Sequence, residues 1–197
     1  MRTYETLIAN SLANRTGLLV RHLLWIRAKN RDTGATETIG LWDGDDHGQF
    51  TVDGNVRTYY GVGALLAVPD LTARVGLEVW QPEVSVSGIA PEVEIALRGY
   101  EPKLAPVEIH RAFFAPAEGT LLGSPVRIFK GWIDGVSIPT PEEGGDATAS
   151  ITLASNSRGL TRVIPAKKSD EAYQRRSGDR IMRYADIGGT VKVRWGT

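Results

Sequence analysis

Residues 147–155 read Ala-Thr-Ala-Ser-Ile-Thr-Leu-Ala-Ser and decide the fold class of this chain. From position 148 onward polar and apolar side chains alternate, with Ala149, Ile151 and Leu153 on one side and threonine or serine on the other. Successive side chains of a β-strand point to opposite faces of its sheet. The alternation therefore predicts a strand with one face in the core and one face in solvent.

Further strand-like segments precede this one, separated by turn residues about every 8–12 positions. They are Leu18–Lys29, Thr36–Trp42, Gln49–Val52, Arg57–Tyr60, Thr72–Trp80, Val107–Phe114 and Pro125–Ile138. The first of them is too long and apolar for an exposed strand, so we expect it to be buried on both faces. Thr3–Asn14 predicts a short N-terminal helix and Pro91–Arg98 another. The chain is predicted to be mainly β, an antiparallel barrel or sandwich.

The composition is that of an ordinary globular protein. The 197 residues include 23 basic and 23 acidic ones and no cysteine. The balanced charge gives no global attraction to nucleic acid or to anionic membranes. The absence of cysteine excludes disulfides, thiolate metal sites and cysteine nucleophiles. The N-terminus lacks the pattern of a signal peptide and no apolar run approaches a bilayer span, so we expect synthesis in the cytoplasm and no membrane insertion.

A search for reactive groups gives little support for an enzyme. Asp43, Asp45, Asp46 and His47 form the densest set of metal-ligand types, but their spacing fits no known cation loop and favours a solvated hairpin loop. His22 and His110 lie inside strand-like segments without an acid–base partner nearby in the sequence. No serine stands in a Gly-x-Ser-x-Gly elbow, and no phosphate-binding glycine loop is present. We expect no catalytic residue, no cofactor and no metal.

The segment 165–184, PAKKSDEAYQRRSGDRIMRY, is dense in charge and follows the last predicted barrel strand. Its cations outnumber its acids, which allows phosphate binding. Arginines interleaved with carboxylates more often form contacts between subunits, and we favour that interpretation. The predicted interface residues are Lys167, Lys168, Asp170, Glu171, Tyr173, Gln174, Arg175, Arg176, Asp179, Arg180, Arg183 and Tyr184.

The order of several motifs resembles the tail-tip or baseplate hub proteins of long-tailed phages and gene transfer agents. Residues 129–135, FKGWIDG, are similar to a family strand in which an aromatic precedes a glycine and the strand continues past an aspartate. Residues 151–157, ITLASNS, resemble the next family strand, and Leu160-Thr161-Arg162 resembles the loop that leads to the charged signature. That signature, a Ser/Asp/Glu–Gln–Arg-Arg–Gly-Asp segment, and a final Trp195-Gly196 complete the likeness. It covers about Pro125–Gly196.

The resemblance implies a structural virion protein built on an antiparallel β-barrel of tail-tube or hub type. It implies one hub-type unit over 1–197, or two β-barrel subdomains within it, with an assembly segment at 165–184 and a C-terminal strand and tail at 190–197. The implied assembly is a homotrimeric ring that joins the tail tube to the central fibre or spike. The implied partners are the distal tail protein, the tail fibre or spike protein and the tape-measure protein, while DNA passes through the lumen during ejection without specific binding.

Two alternatives and two departures from the family stay open. A distal tail protein, which forms a hexameric ring one level higher, shares the same barrel ancestry. A carbohydrate-binding module would need exposed aromatic platforms, for which Trp42, Trp80 and Trp132 are the candidates. Ser177 stands where many relatives have proline, and the chain has no cysteines for the iron–sulfur cluster of some relatives. No cofactor is therefore carried over.

Overall fold

A computed structural model of the chain describes residues 4–15, 17–61, 66–70, 79–87, 98–139, 148–161, 167–185, 187–190, 192 and 196. The chain divides into two compact units, Met1–Leu160 and Thr161–Thr197. The described helices are α1 (Thr6–Asn14), α2 (Arg158–Thr161), α3 (Asp170–Gln174) and a 3-10 helix (Gly188–Thr190). No described helix is long and apolar enough to cross a membrane.

Ten strands are found among the described residues of the first unit, and they form one connected sheet. They are β1 (Leu19–Asn30), β2 (Thr36–Trp42), β3 (Gly48–Val52), β4 (Asn55–Gly61), β5 (Leu66–Ala67), β6 (Glu83–Ser87), β7 (Tyr100–Glu101), β8 (Pro106–Phe114), β9 (Val126–Ser137) and β10 (Thr148–Ser155). Nine of them stand in the order β3-β4-β2-β1-β8-β9-β10-β6-β5, and β7 pairs with β1. The mainly-β prediction is confirmed, together with a short N-terminal helix and further short helices.

Strand pairing is antiparallel as predicted, with one exception. β4 runs parallel to β2 over two residue pairs, Leu41 with Tyr60 and Trp42 with Gly61. The polar loop 43–47 turns the chain out of β2, so that the β3–β4 hairpin lies across the sheet and its second strand returns beside the end of β2. The expectation of a purely antiparallel sheet is wrong at this pair.

The sheet coils strongly around the main core. β2 and β6 stand five strand positions apart, which corresponds to about 24 Å in a flat sheet. Ile39 and Leu41 of β2 and Val86 of β6 nevertheless line the same apolar cavity of about 10 Å³. Two register shifts, with Ile128 and Asp134 as the extra residues of β9, add to the coiling. Among the described strands β3 and β5 remain the ends of the sheet.

A second, smaller core lies on the opposite face of β1 and β8. Phe50, Val52 and Tyr59 of the hairpin pack there against Leu23 of β1 and Ala112 of β8. The middle of β1 is therefore buried on both faces, since Leu24, Ile26 and Ala28 enter the main core. The burial predicted for Leu18–Lys29 is confirmed only there, because Leu19, Val20, Arg27 and Lys29 are exposed. The alternation predicted for residues 148–153 appears as burial of Ala149, Ile151 and Leu153.

Helix α1 is shorter than predicted and buries less. It follows Glu5, and Ile8 is its buried residue, whereas Leu7 and Leu12 are 62% and 47% exposed. Most of the predicted strand Thr72–Trp80 and most of the predicted helix Pro91–Arg98 lie outside the described residues. Of the predicted final strand at 190–194, Thr190 belongs to the 3-10 helix and most of the rest lies outside the described residues.

Candidate functional site

The charged signature lies in the second unit and is organised by short-range contacts. Ser169 begins α3, and its hydroxyl accepts a hydrogen bond from the backbone N–H of Ala172 at 3.3 Å. Asp170 and Glu171 occupy the first turn, where a helix favours negative charge. The sequence Ser-Asp-Glu therefore sets the start of this helix.

Asp170 connects the two halves of the signature. Its Oδ2 accepts a hydrogen bond from Gln174 Nε2 at 2.7 Å and lies 3.0 Å from a guanidinium nitrogen of Arg180. Asp179 has a separate task, because its Oδ1 accepts from the backbone N–H of Ile181 at 3.0 Å and closes a turn. Asp170, Gln174, Asp179 and Arg180, all predicted as interface residues, thus serve the shape of the segment itself.

The turn after the double arginine is left-handed. Ser177 and Gly178 have φ angles of 61° and 73°. Proline is locked near −65° and could not take the conformation seen at Ser177. Residues 177 and 178 therefore form a turn that a proline at position 177 could not form.

The remaining predicted residues point outward or lie at half depth. Tyr173 is half-buried, and Arg183 lies over the ring of Tyr184 at 5.4 Å from its centroid. No carboxylate of the described residues lies within 4 Å of the guanidinium of Arg175 or Arg176. The exposed members of the predicted interface that form no ion pair within the described part are Lys167, Lys168, Glu171, Arg175, Arg176, Arg183 and Tyr184.

The same part of the chain exposes large apolar side chains, of which Ile181 and Ile187 were not predicted. Ile181 is 75% exposed, Tyr184 66% and Ile187 51%, and no described residue of the second unit is buried. Their spacing of three residues within a polar stretch was the available signal. Exposed large apolar groups, and arginines without an ion-pair partner among the described residues, are typical of surfaces that bind another protein. We call Arg175, Arg176, Ile181, Tyr184 and Ile187 the C-terminal surface.

The first unit carries a second group of charges, where the β3–β4 hairpin covers β8 and β9. Glu108 lies at its centre, with Arg57 at 3.0 Å and with Arg127 and Lys130 at 3.6 Å each. Arg127 also lies 3.4 Å from Asp53 at the tip of the hairpin. Burial opposes ionisation of Glu108, but the hydrogen bond and charge of Arg57 outweigh it, so the pKa of the carboxyl is lowered.

Two buried polar side chains lie beneath this group. His110 is fully buried, and burial lowers its pKa to about 4 against a partial opposing effect of Glu108. Burial also raises the pKa of Tyr59 to about 12. Neither His110 nitrogen nor the Tyr59 hydroxyl has a hydrogen-bond partner in the described part of the protein. The histidine is therefore neutral at pH 7 and serves packing.

The acidic loop 43–47 behaves as a structural connection. Asp43 Oδ1 accepts from the backbone N–H of His22 at 2.8 Å, and the Asp46 carbonyl accepts from Trp42 Nε1 at 2.8 Å. His47 Nδ1 accepts from the backbone N–H of Gly61 at 3.3 Å. Across the described residues no three potential metal ligands lie together.

The candidate aromatic platforms are engaged in internal contacts. Trp42 packs against Phe50 at 5.1 Å between ring centroids, and Trp80 against Phe129 at 5.6 Å. Trp132 is half-buried on β9. Half-buried rings with internal partners do not form the flat exposed platform that binds sugars, so the structure gives the carbohydrate alternative no support.

No protein-family model matches this sequence, and a search of curated proteins finds no significant match.

Proposed function

We propose that this chain is a structural subunit of a phage tail tip, a hub that assembles into a ring between the tail tube and the central fibre or spike. The observation that supports the proposal best is the C-terminal surface. The segment whose sequence resembles the hub signature exposes Arg175, Arg176, Ile181 and Tyr184, and the exposed Ile187 follows it.

The internal contacts of the segment suit a docking role. Asp170 holds Gln174 and Arg180, so part of the charge is used to fix the backbone before any partner arrives. Arg175 and Arg176 keep their hydrogen-bonding capacity, and arginine forks suit carboxylates of a neighbouring subunit. Burying the remaining exposed surface of Ile181 or Ile187 in the contact would contribute roughly 1–2 kcal/mol each.

We further propose that the coiled sheet of the first unit belongs to a closed barrel of tail-tube type. The gathering of β2 and β6 around one cavity supports this, as do the two register shifts in β9. Three such units in a ring would surround a lumen that passes the tape-measure protein and then DNA, without specific binding of DNA. The partners would be the distal tail protein and the fibre or spike protein, and the chain would reside in the virion.

Charge reversal tests the proposal. The double variant Arg175→Glu plus Arg176→Glu should fold normally but fail to enter tail tips when it replaces the wild-type chain. Arg27→Glu plus Lys29→Glu is the matched control, because it reverses two exposed strand cations of the first unit. Tail tips of normal yield with the first variant, or equal loss with both, would contradict the role of the C-terminal surface.

The distal tail protein is the alternative, since a ring of six copies would use the same kind of surface. The sheet and the C-terminal surface fit both positions. The number of copies at the tail end separates them.

A further inference from the structure

Strand β3 ends the sheet and has one partner among the described strands. It pairs with β4 through a two-residue turn at Asp53-Gly54, where both residues have left-handed φ angles of 49° and 77°. In such a hairpin alternate residues of each strand bond across it. Gly48, Phe50 and Val52 therefore bond to β4, and the N–H and C=O groups of Gln49 and Thr51 face the open side.

This edge lacks the usual protection against pairing. Protein edges are commonly guarded by lysine, proline or a bulge, and residues 48–52 contain none of these. The side chains of Gln49 and Thr51 are exposed and uncharged, while Phe50 and Val52 anchor the strand in the second core. The hairpin is also fixed to the sheet by the bond from Arg57 to Glu108. Among the described residues the outer side of β3 thus has no strand partner, and the strand is held in place by the second core and by Arg57.

We propose that β3 pairs in antiparallel fashion with β3 of a second copy of this chain, about a two-fold axis at Phe50. This register places Gln49 opposite Thr51 of the second copy and uses all four outward-facing backbone groups of each strand. The two exposed side chains that face each other are polar and uncharged, so no like charges oppose. A two-fold contact of this kind is self-complementary.

Complementary donor and acceptor side chains at the ends of the strand favour a second copy over an unrelated strand. The same register places His47 opposite Asp53 of the second copy, once at each end. Because His47 Nδ1 accepts a hydrogen bond from Gly61, the neutral ring carries its proton on Nε2, which is available as a donor. The side chain of Asp53 is 63% exposed and can accept it.

The inference goes beyond the proposed ring and does not depend on it. A two-fold strand contact joins copies in pairs, whereas a ring needs a contact that repeats three or six times. The C-terminal surface and the β3 edge lie in different units of the chain. Each can therefore be removed without altering the residues of the other.

Sedimentation analysis of the full chain tests the pairing. Thr51→Lys places a charge at the edge and should weaken dimerisation about tenfold or more. Thr58→Lys is the matched control, because Thr58 is exposed on the same hairpin, opposite Gln49, but on β4. It should leave the dissociation constant unchanged, and thermal unfolding should show both variants folded.

Hydrogen exchange gives a second readout on the wild-type chain. The amide protons of Gln49 and Thr51 should exchange slowly at high concentration and fast on dilution. A wild-type chain that stays monomeric, a Thr51→Lys chain that dimerises like wild type, or fast exchange of both amides in the dimer would overturn the proposal. Larger rings that persist with Thr51→Lys while the two-fold step of association is lost would support both the proposed function and the strand pairing.

Discussion

The guanidinium of Arg57 on β4 donates a hydrogen bond of 3.0 Å to Glu108 Oε2 on β8 and so ties the β3–β4 hairpin to the outer face of the sheet. The contact also lies over the ring of Trp25, with Arg57 at 5.1 Å from its centroid. Both charged side chains are largely buried, at 15% and 17% exposure. A pair at this depth depends on each partner, because removing one leaves the other's charge without compensation.

Glu108→Gln should therefore lower the free energy of unfolding by about 2 kcal/mol, because it leaves Arg57 half-buried without its carboxylate. Urea denaturation at pH 7 measures the change. Asp53→Asn removes a carboxylate from the same hairpin, but its side chain is 63% exposed, and we expect about 0.5 kcal/mol or less. Equal losses of unfolding free energy in the two variants would contradict a larger contribution from the buried Arg57–Glu108 pair.

The free energy of unfolding should fall as the pH is lowered from 6.5 to about 4, a window set by the pKa of His110. Its pKa lies near 6.5 when unfolded and at about 4 when folded, so the unfolded chain binds the extra proton between these values. The contribution is complete above pH 6.5 and is lost progressively toward pH 4, by up to about 3 kcal/mol. The pKa of this imidazole is also shifted by four neighbouring charged groups, those of Glu108, Arg57, Asp53 and Arg127. Glu108 has a lowered pKa, so its own loss falls below pH 4.5.

The matching variant is His110→Leu, which removes the titrating group and fills the same buried position with an apolar side chain. Urea denaturation at pH 7.5 and pH 5 should show a smaller difference for this variant than for wild type. An unchanged difference would assign the pH dependence to other groups.

Gly131 permits the close approach of β9 to β10. A Cβ placed there would collide with the carbonyl oxygen of Ala154, which is backbone and cannot move aside. Gly131→Ala should therefore destabilise the protein by about 1–3 kcal/mol. Gly135→Ala on the same strand meets open space and should be neutral or stabilise by up to about 1 kcal/mol. Equal urea midpoints for the two variants would contradict the role of Gly131 in the close approach of β9 to β10.

The apolar part of the C-terminal surface should govern association and not folding. Ile181→Ser plus Ile187→Ser replaces two side chains that are already 75% and 51% exposed, so unfolding should change by about 0.5 kcal/mol or less. Entry into tail tips should drop strongly. Leu7→Ser plus Leu12→Ser, on an exposed face of α1, is the control and should leave assembly intact. Normal assembly with the first variant would remove the apolar residues from the interface.

The strands were predicted well because their order of polar and apolar residues depends only on neighbouring positions in the sequence. The alternation at residues 148–153 and the apolar run that became β1 both state which faces are buried. The β2–β4 parallel pair was not predictable, since it depends on how a polar loop of five residues directs a hairpin across the sheet.

The candidate site was predicted only in part, for a similar reason. Charge density drew attention to the C-terminal segment, but density does not show that Asp170 would engage Gln174 and Arg180, leaving Arg175 and Arg176 outward. Ile181 and Ile187 were overlooked because an isolated isoleucine normally indicates core. The network around Glu108 joins strands that are far apart in the sequence, so no short motif predicts it.

Counting the copies of this chain at the end of intact tails tests the central claim most directly. Symmetry analysis of purified particles, with the chain located by its own density, gives that number. The account predicts three copies in a ring between the tube and the central fibre. Six copies would assign the chain to the distal tail position, and a chain absent from the particles would contradict the structural role altogether.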